Sequence, residues 1–270
     1  MKFSIFLCSV LFTTNILAAP RGLAQRVERR SARIRNSKPL NLLQGSFIEN
    51  GTNVQYSSNW AGAVITSPPS GQTFNAVSGK FNVPTPSAPD GSSGSYSASA
   101  WVGIDGDTYT AAILQAGIDF TATTNDDGST STSYDAWYEW YPDYAYDFSD
   151  FSFTSGDEIS VSITASSSSA GKVVLENLTT GKTVSKSLTA PSRSSHLGGQ
   201  NAEWIVEDFD EGGSEVSFAD FGTVTFSSCA ANTASETLTA SGATAIDIKQ
   251  SEEVLTSVSI SGSTVTVTYV

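Results

Sequence analysis

Polar and apolar residues alternate with a period of two along most of the chain after residue 55. Clusters of Gly, Ser, Asn and Asp interrupt this pattern every ~8–12 residues, as is typical of short strands joined by turns. The segment Glu158–Ile163 alternates at every position, and Lys172–Asn177 and Thr183–Leu188 flank a Thr-Thr-Gly-Lys turn that predicts a hairpin. Near the C-terminus, Val254–Ile260 and Thr264–Val270 flank a Ser-Gly turn in the same way. The pattern predicts an all-β protein, and without an internal repeat a single β-sandwich is the simplest interpretation.

The first 19 residues have the features of a secretory signal peptide. Lys2 supplies a positive charge, an apolar run follows, and Ala18 and Ala19 offer small residues for cleavage. The run is too short to anchor the chain in a membrane, because a spanning helix needs ~20 predominantly apolar residues. We therefore predict a signal peptide over residues 1–19 and a secreted, extracellular protein.

Residues 20–53 differ from the rest of the chain in charge. Seven basic residues lie between Arg21 and Lys38, with Glu28 as the single acidic residue among them. After residue 50 the chain has six basic and 25 acidic residues, a formal charge of −19. Opposite charges of this size predict a pro-segment that docks over the cleft of the 54–270 domain and inhibits it, the alternative being a solvated basic tail.

Protonation of carboxylates in acid should weaken this electrostatic hold, since free Asp and Glu titrate at about 3.9–4.3. We expect autocatalytic release in acid. The mature N-terminus is predicted between about Asn50 and Tyr56, and Arg29-Arg30 offers a second processing site.

The overall formal charge of −13 excludes several partners. An acidic surface repels phosphate backbones, so we expect no nucleic-acid partner. We also expect no membrane partner, since no later segment is long and apolar enough to span, and a monomer. Cys8 leaves with the signal peptide, and Cys229 is then a lone thiol that we expect to be a buried hydrophobic residue. Asn50 and Asn177 stand in glycosylation sequons and are candidate glycan acceptors if exposed.

Familiar catalytic groups are missing from the sequence. His196 is the only histidine, so a multi-histidine zinc site is not available. It lies in a loop-like Ser- and Gly-rich stretch without an accompanying Gly-x-Ser-x-Gly motif, which argues against a Ser-His-Asp triad. No phosphate-binding or dinucleotide-binding motif occurs, and we expect no cofactor and no metal. Carboxylates, amides and aromatic rings remain as the candidate catalytic groups.

These groups are concentrated in four segments. In chain order the segments are Ser58–Val64 (SNWAGAV), Ala100–Gly117 (AWVGIDGDTYTAAILQAG), Tyr134–Pro142 (YDAWYEWYP) and Asn201–Phe209 (NAEWIVEDF).

The four segments, in this order, resemble the glutamic peptidase (eqolisin) family of acid endopeptidases. The resemblance extends from about Asn59 to Val270. It implies a concanavalin-like β-sandwich of two large antiparallel sheets, polypeptide substrates, and catalysis by a Gln–Glu dyad without a cofactor. Gln115 matches the family's glutamine in the Ile-Leu-Gln motif, and Glu207 matches its catalytic glutamate. The resemblance further implies that seven residues bind substrate or support the dyad: Trp60, Trp101, Asp105, Asp119, Asp135, Glu139 and Tyr141.

Alternation along the strands is consistent with these roles. Around Gln115, the residues Ile113, Gly117 and Asp119 share its face of a predicted strand, whereas the opposite face is apolar. In the fourth segment Glu207 shares a face with Glu203, Ile205 and Phe209. Two strands can therefore present Gln115 and Glu207 on one concave sheet surface.

The dyad predicts direct attack by an activated water. Glu207 acts as the general base toward the water and then returns the proton to the leaving amine. Gln115 orients the water and donates its amide N–H to the developing oxyanion. We also expect Glu207 to keep a low pKa because Gln115 donates a hydrogen bond to the carboxylate.

A carbohydrate-binding or carbohydrate-hydrolysing β-sandwich protein is the alternative. Glycosidase carboxyls lie ~5–9.5 Å apart, whereas Glu203 and Glu207 on one strand would be ~13 Å apart. Asp105 and Asp107 would be ~6.6 Å apart on a strand, but Gly106 between them indicates a turn.

Overall fold

The computed structural model describes residues 35–43 and 54–270. These two ranges belong to one compact unit. The predicted signal peptide, Cys8, the Arg29-Arg30 site and Asn50 lie outside the described residues, as does most of the predicted pro-segment. Within the described part, no helix has the length and apolar character needed to cross a membrane.

Short strands make up nearly all of the regular structure, interrupted by two 3-10 turns at Pro89–Gly91 and Arg193–Ser195. In chain order the strands are β1 (Arg35–Asn36), β2 (Val54–Ser57), β3 (Trp60–Ile65), β4 (Ala76–Asn82), β5 (Gly94–Ile104), β6 (Ile113–Thr124), β7 (Thr130–Tyr141), β8 (Tyr146–Asp147), β9 (Glu158–Ser167), β10 (Ala170–Asn177), β11 (Lys182–Thr189), β12 (Ala202–Glu207), β13 (Asp210–Glu211), β14 (Ser214–Glu215), β15 (Thr223–Asn232), β16 (Thr237–Thr239), β17 (Thr244–Gln250), β18 (Glu253–Val254), β19 (Thr256–Ser261) and β20 (Thr264–Tyr269).

Two large sheets contain most of these strands. One has nine strands in the order β18-β17-β3-β12-β5-β6-β7-β8, with β2 added in parallel beside β17. The other has eight strands in the order β11-β10-β9-β4-β15-β20-β19, with β16 beside β15. All other pairings within both sheets are antiparallel. The predicted all-β sandwich of two large antiparallel sheets is therefore confirmed.

Alternating side chains place the core between the two sheets. On β6 the residues Leu114, Ala116, Ile118 and Phe120 are fully buried and pack in the main apolar cluster. Facing strands of the second sheet contribute residues such as Val161 of β9 to the same cluster. The odd-numbered residues of β6 consequently point away from this core, as the sequence predicts.

The predicted hairpins are also present. β10 pairs with β11 from Ala170↔Thr189 to Asn177↔Lys182, and β19 pairs with β20 from Thr256↔Tyr269 to Ser261↔Thr264. Gly181 and Gly262 adopt positive φ angles of 76° and 59° in the two turns, a conformation that favours glycine.

Two sequence expectations concern side chains of this core. Cys229 is buried and free, and burial raises the pKa of its thiol to about 12, so the expectation of an inert buried thiol is confirmed. Asn177 was a candidate glycan acceptor only if exposed, and that condition is not met, because its side chain is completely buried. Its amide nitrogen donates to Asp157, and its amide oxygen accepts from the backbone of Thr179 and Thr180. Asn177 therefore closes a turn and is not available to a glycan in the folded protein.

Candidate active site

The outer face of the nine-stranded sheet carries polar groups in two rows that cross neighbouring strands. In the first row Gln115 of β6 lies opposite Gly103 of β5 and Glu139 of β7. Glu203 of β12 lies opposite Gly103 on its other side. Residues directly opposite each other in antiparallel strands point to the same face, so these side chains share one surface.

The second row contains the candidate general base. Glu207 lies opposite Ser99 of β5 and opposite Trp60 of β3. Ser99 in turn lies opposite Asp119, and Asp119 lies opposite Asp135 of β7. The sheet register thus brings most of the predicted site residues onto one face, although they come from five different strands.

An aromatic cluster connects the two rows: Trp101 and Trp137 lie between them, and Trp60 lies opposite Glu207 in the second row. Trp60, Trp101 and Trp137 are fully buried, and Trp60 meets Trp101 edge to face with ring centroids 4.9 Å apart. Gly117 makes room for this cluster, since a Cβ atom there would lie 2.5 Å from the Cβ of Trp101. The indole nitrogen of Trp101 donates to Glu207 Oε2 at 2.9 Å. The Trp101 indole therefore fixes the position of the Glu207 carboxyl.

Residues 35–43, which we call the covering segment, run across this face. Within this segment Ser37 makes the contacts with Gln115 and Glu139, and it is completely buried. Gln115 Nε2 donates to the Ser37 carbonyl at 3.1 Å, and the Ser37 amide donates to Glu139 Oε2 at 3.1 Å. One residue of the covering segment therefore engages Gln115 and Glu139 together.

Arg35 anchors the covering segment on one side of Ser37. Its guanidinium forms two hydrogen bonds to Asp119, at 2.6 and 2.8 Å, and a third to the Ser99 hydroxyl at 3.1 Å. The guanidinium carbon lies 3.9 Å from the ring centre of Trp137 and 4.4 Å from that of Phe209. Bidentate pairing and stacking between rings are the contacts that favour Arg over Lys.

The covering segment continues along the sheet on the other side of Ser37. The Trp60 indole nitrogen donates to the Lys38 carbonyl at 3.0 Å, and Asn59 Nδ2 donates to the Pro39 carbonyl at 3.2 Å. Lys38 Nζ pairs with Asp210 at 2.7 Å but is half exposed. Main-chain groups thus provide most of the polar contacts of the covering segment.

Burial and charge determine the protonation of the dyad glutamate in this covered state. Burial raises the pKa of Glu207 to about 7, and the Arg35 charge and hydrogen bonds from Ser37, Trp101 and Trp60 offset only part of that rise. The expectation of a low pKa maintained by Gln115 is therefore wrong here. The physical reason is that the covering segment shields the carboxyl from water, while the Gln115 amide nitrogen is directed at the Ser37 carbonyl.

The pKa values of two neighbouring carboxyls are raised as well. Burial raises the pKa of Asp119 to about 6 despite its ion pair with Arg35. Burial also raises the pKa of Glu139 well above its usual value, and the nearby charges of Glu207 and Asp119 add to the rise. Three acids converge here on a single cation, Arg35.

Asp105 has a different position from the dyad. Its side chain accepts hydrogen bonds from four successive backbone amides, those of residues 198–201, at 2.7–3.4 Å. This loop leads directly into β12, the strand that carries Glu207. Asp105 therefore positions the loop before the catalytic strand, and its contacts are with this loop and not with the covering segment. The turn predicted at Gly106 is present, with φ of 124°.

The structure brings together six of the nine predicted site residues around the covering segment: Trp60, Trp101, Gln115, Asp119, Glu139 and Glu207. Tyr141 packs half-buried against the aromatic cluster, and Asp135 is exposed at the end of its row. Sequence reasoning did not assign roles to Arg35, Ser37, Asn59, Ser99 or Phe209. Asn59 and Phe209 belong to the first and fourth of the four segments that carry the family resemblance and could have been chosen on that ground.

The fold and this site define a peptidase. The chain belongs to the peptidase A4 family, whose family model matches residues 58–269, and it is a glutamic endopeptidase that hydrolyses polypeptides. It is 49% identical to aspergillopepsin-2 of Aspergillus niger over 295 aligned positions, and 39% identical to scytalidopepsin B of Scytalidium lignicola over 281. Both alignments cover 100% of each protein.

Solved structures agree with this assignment. A scytalido-glutamic peptidase bound to a transition state analog inhibitor has a TM-score of 0.66 at 38% identity, over 79% of this chain and 98% of that one. The aspergilloglutamic peptidase from Aspergillus niger has a TM-score of 0.60 at 55% identity, over 65% of this chain and 99% of that one. Membership in this family argues against the carbohydrate-directed alternative.

Proposed function

We propose that this chain is the precursor of a secreted acid endopeptidase that cleaves peptide bonds with a Gln115–Glu207 dyad. The observation that carries the proposal is the Ser37 carbonyl, which accepts a hydrogen bond from Gln115 on the sheet face that also holds the Glu207 carboxyl and its donor Trp101. A main-chain carbonyl of a bound polypeptide is thus held by an amide donor beside a carboxyl, which is the arrangement that amide hydrolysis requires.

In the proposed reaction, water lies between Glu207 and the scissile carbonyl. Glu207 as carboxylate removes a proton while the water oxygen bonds to the carbonyl carbon. Gln115 Nε2 donates to the oxygen that becomes negative. Glu207 then returns the proton to the amine nitrogen as the carbon–nitrogen bond breaks. Trp101 holds the carboxyl in place through its indole N–H.

Hydrolysis of casein in acid is the direct test of this function. The mature protein should clear casein at acidic pH and should be unaffected by pepstatin, which inhibits enzymes with paired aspartates. Absence of casein hydrolysis by the folded mature protein, or complete inhibition by pepstatin, would overturn the proposal.

The covering segment belongs to the predicted pro-segment, and we propose that it inhibits the enzyme by occupying the cleft. The ion pairs of Arg35 with Asp119 and of Lys38 with Asp210 support this proposal. The mature N-terminus, the signal peptide and a monomeric state remain predictions from the sequence.

Replacing Arg35 by alanine should weaken this inhibition strongly. Removing one partner of a buried ion pair costs roughly 3–5 kcal/mol, so the equilibrium constant that favours the inhibited over the uncovered state should fall by more than ~10²-fold. The measurement is activity of the uncleaved precursor, with Lys38→Ala as the matched control. The Lys38 pair is half exposed and should contribute at most ~1 kcal/mol.

The effect of Arg35→Ala should also depend on pH. Arg35 attracts Asp119 only while that carboxyl is ionised, and the pKa of Asp119 is about 6. The attraction by Arg35 lowers this pKa relative to the variant. The advantage of Arg35 over alanine is therefore complete only above the higher pKa that Asp119 has in the variant, and it is lost as the pH falls through about 6. Equal inhibition by both precursors at every pH would contradict the electrostatic hold.

The position of Arg35 also predicts a substrate preference. Arg35 lies two residues before Ser37, and its charge is paired with Asp119 and stacked between Trp137 and Phe209. Two peptides are compared that differ only at the position two residues before the residue whose carbonyl is cleaved. The peptide with Arg at that position should have a lower KM than the peptide with Ala. Asp119→Asn should reduce this preference, and steady-state kinetics on the two peptides measure it.

A further inference from the structure

The covering segment is bound on both sides of the residue whose carbonyl meets Gln115. On the side that follows Ser37, each residue from 38 to 41 has at least one main-chain group hydrogen-bonded to the 54–270 domain. Three residues after Ser37, the Leu40 amide donates to the Gly106 carbonyl at 3.0 Å. The domain therefore fixes the position of Leu40 relative to the Ser37 carbonyl.

The Leu40 side chain packs, half-buried, on the outer face of the nine-stranded sheet. It lies against a group of fully buried apolar side chains that we call the outer cluster: Trp60, Val64, Trp101, Ile113, Trp137, Ile205 and Ile246. The outer cluster is separate from the core between the two sheets. Ile113 stands two residues before Gln115 on the same face of β6, so the outer cluster extends to the dyad.

Gly106 brings a main-chain acceptor and the outer cluster to the same place. A Cβ atom at this residue would lie 2.7 Å from Cη2 of Trp60 and 2.8 Å from Cδ1 of Ile113. The two side chains therefore pack directly against the backbone that holds the Leu40 amide. Gly106 also has a φ of 124°, a conformation that other residues rarely adopt. An acceptor for an amide and an apolar wall are consequently built around one residue of the bound chain.

We propose that Gly106 and the outer cluster form a substrate subsite for an apolar side chain three residues after the residue whose carbonyl is cleaved. The inference rests on the proposed function, because the position is counted from the carbonyl that Gln115 holds. In the precursor, Leu40 occupies the subsite. In the mature enzyme the same place takes Leu or a similar residue of a polypeptide that continues at least three residues past the cleaved bond.

The subsite should affect substrate binding and not the chemical step. It lies three residues from the reacting bond, so its contacts are the same in the bound substrate and in the transition state. Such contacts lower KM without raising kcat. Complete burial of a Leu side chain changes a binding equilibrium by ~10–10²-fold. Leu40 is half-buried, so we expect the lower end of this range, about tenfold.

The test uses the mature enzyme in acid and peptides that differ only at this position. One peptide has Leu there, a second has Ser, and a third ends one residue earlier as an amide. Mass spectrometry of the products checks that all three are cut at the same bond. Steady-state kinetics should give a KM about tenfold lower for the Leu peptide than for the other two, with similar kcat.

A variant of the outer cluster tests which residues hold the side chain. Ile113→Ala removes as many side-chain carbons as Phe adds relative to Leu, so this variant should prefer a peptide with Phe at the position, whereas the unchanged enzyme should prefer Leu. Both peptides are compared on the same enzyme, so a lower overall activity caused by the change near Gln115 does not alter their ratio. Ile260→Ala makes the same change on β19 of the other sheet and should retain the preference for Leu.

Equal KM values for the Leu and Ser peptides would overturn the inference, as would an Ile113→Ala enzyme that still prefers Leu to Phe. A third contrary result is an apolar preference at a different position relative to the cleaved bond. These results leave the enzyme active and the proposed function intact. If the folded mature protein cuts none of the peptides, or if Glu207→Gln cuts them as fast as the unchanged enzyme, the proposed function itself fails and the subsite fails with it. The two failures are therefore distinguishable.

Discussion

Mature enzyme carrying Glu207→Gln is expected to lose essentially all peptidase activity. Glutamine keeps the shape of the side chain and can still accept the Trp101 hydrogen bond, but it cannot remove a proton from water at any pH. General-base catalysis contributes typically 10²–10⁴-fold, and kcat should fall by at least that factor. Initial rates on a fluorogenic peptide measure the loss.

Gln115→Ala is the partner variant. Loss of one oxyanion donor typically lowers kcat by ~10²–10³-fold, and the loss should be in kcat more than in KM because the donation strengthens in the transition state. Asn125→Ala is the matched control, since Asn125 is an exposed amide side chain in the turn between β6 and β7. Near-normal kcat in Glu207→Gln or Gln115→Ala would exclude the dyad.

The second large effect concerns stability as a function of pH. We expect the protein to be most stable in acid and to unfold as the pH rises toward neutrality and above. Burial raises the pKa of Asp247 to about 6 and that of Asp208 to about 8. Burial also raises the pKa of Glu203 well above its usual value, and neither of its carboxyl oxygens has a hydrogen-bond partner in the part of the chain described.

The sign of this effect follows from proton linkage. A carboxyl whose pKa is higher in the folded state binds its proton more tightly there. Its stabilising contribution is complete below the unfolded pKa and is lost as the pH rises through the folded value. Each tenfold change in proton affinity corresponds to about 1.4 kcal/mol. Asp208, Asp247 and Glu203 together involve several kcal/mol, which is comparable with a total stability of about 5–15 kcal/mol.

Asp208→Asn tests this expectation. The amide is neutral at every pH, so the variant should unfold at a higher pH than the unchanged protein and should have the same stability in strong acid. Tryptophan fluorescence against pH gives the midpoint. Asp150→Asn, an exposed change of the same chemistry, should leave the midpoint unchanged. A midpoint that does not move in Asp208→Asn, or a protein that is more stable at neutral pH than in acid, would contradict the account.

The amino-acid composition also makes the folded protein more stable in acid than at neutral pH. After residue 50 the 25 acidic residues repel one another at neutral pH, where they give a formal charge of −19. When they are protonated, only six Lys and Arg residues and His196 carry charge. Self-repulsion, which destabilises compact states, is therefore small in acid and large at neutral pH.

The sequence predicts the fold and the sheet face on which Gln115 and Glu207 lie, because both depend on local alternation. Alternation along β6 is sufficient to place Gln115 on one face and Leu114 on the other, and the fourth segment does the same for Glu207. Asp105 shows where a motif is less informative. The resemblance implies that Asp105 binds substrate or supports the dyad. Its positive φ of 71° and the four amides it binds become visible only when the 198–201 loop is folded against it.

The occupant of the cleft could not be read from the sequence. Arg35 contacts Asp119 across 84 residues, and the Ser37 amide contacts Glu139 across 102. Charge predicts that a basic segment docks on an acidic domain, but it does not indicate which residue reaches the dyad. The burial of acids such as Glu203 and Asp208 could not be predicted from the sequence either, because an isolated carboxylate is usually solvated. Their burial results from packing between strands that are distant in the chain.

A small third sheet, in which β13 lies between β1 and β14, has a consequence for the mature enzyme. Its first strand, β1, belongs to the covering segment and pairs through Arg35↔Glu211 and Asn36↔Asp210 with β13. When that strand is removed, β13 keeps β14 as a neighbour on one side only. Its other edge then presents backbone donors and acceptors that an incoming polypeptide can satisfy by strand addition, whatever its side chains. Tolerance of many substrate sequences would thus arise from main-chain recognition at a vacated sheet edge.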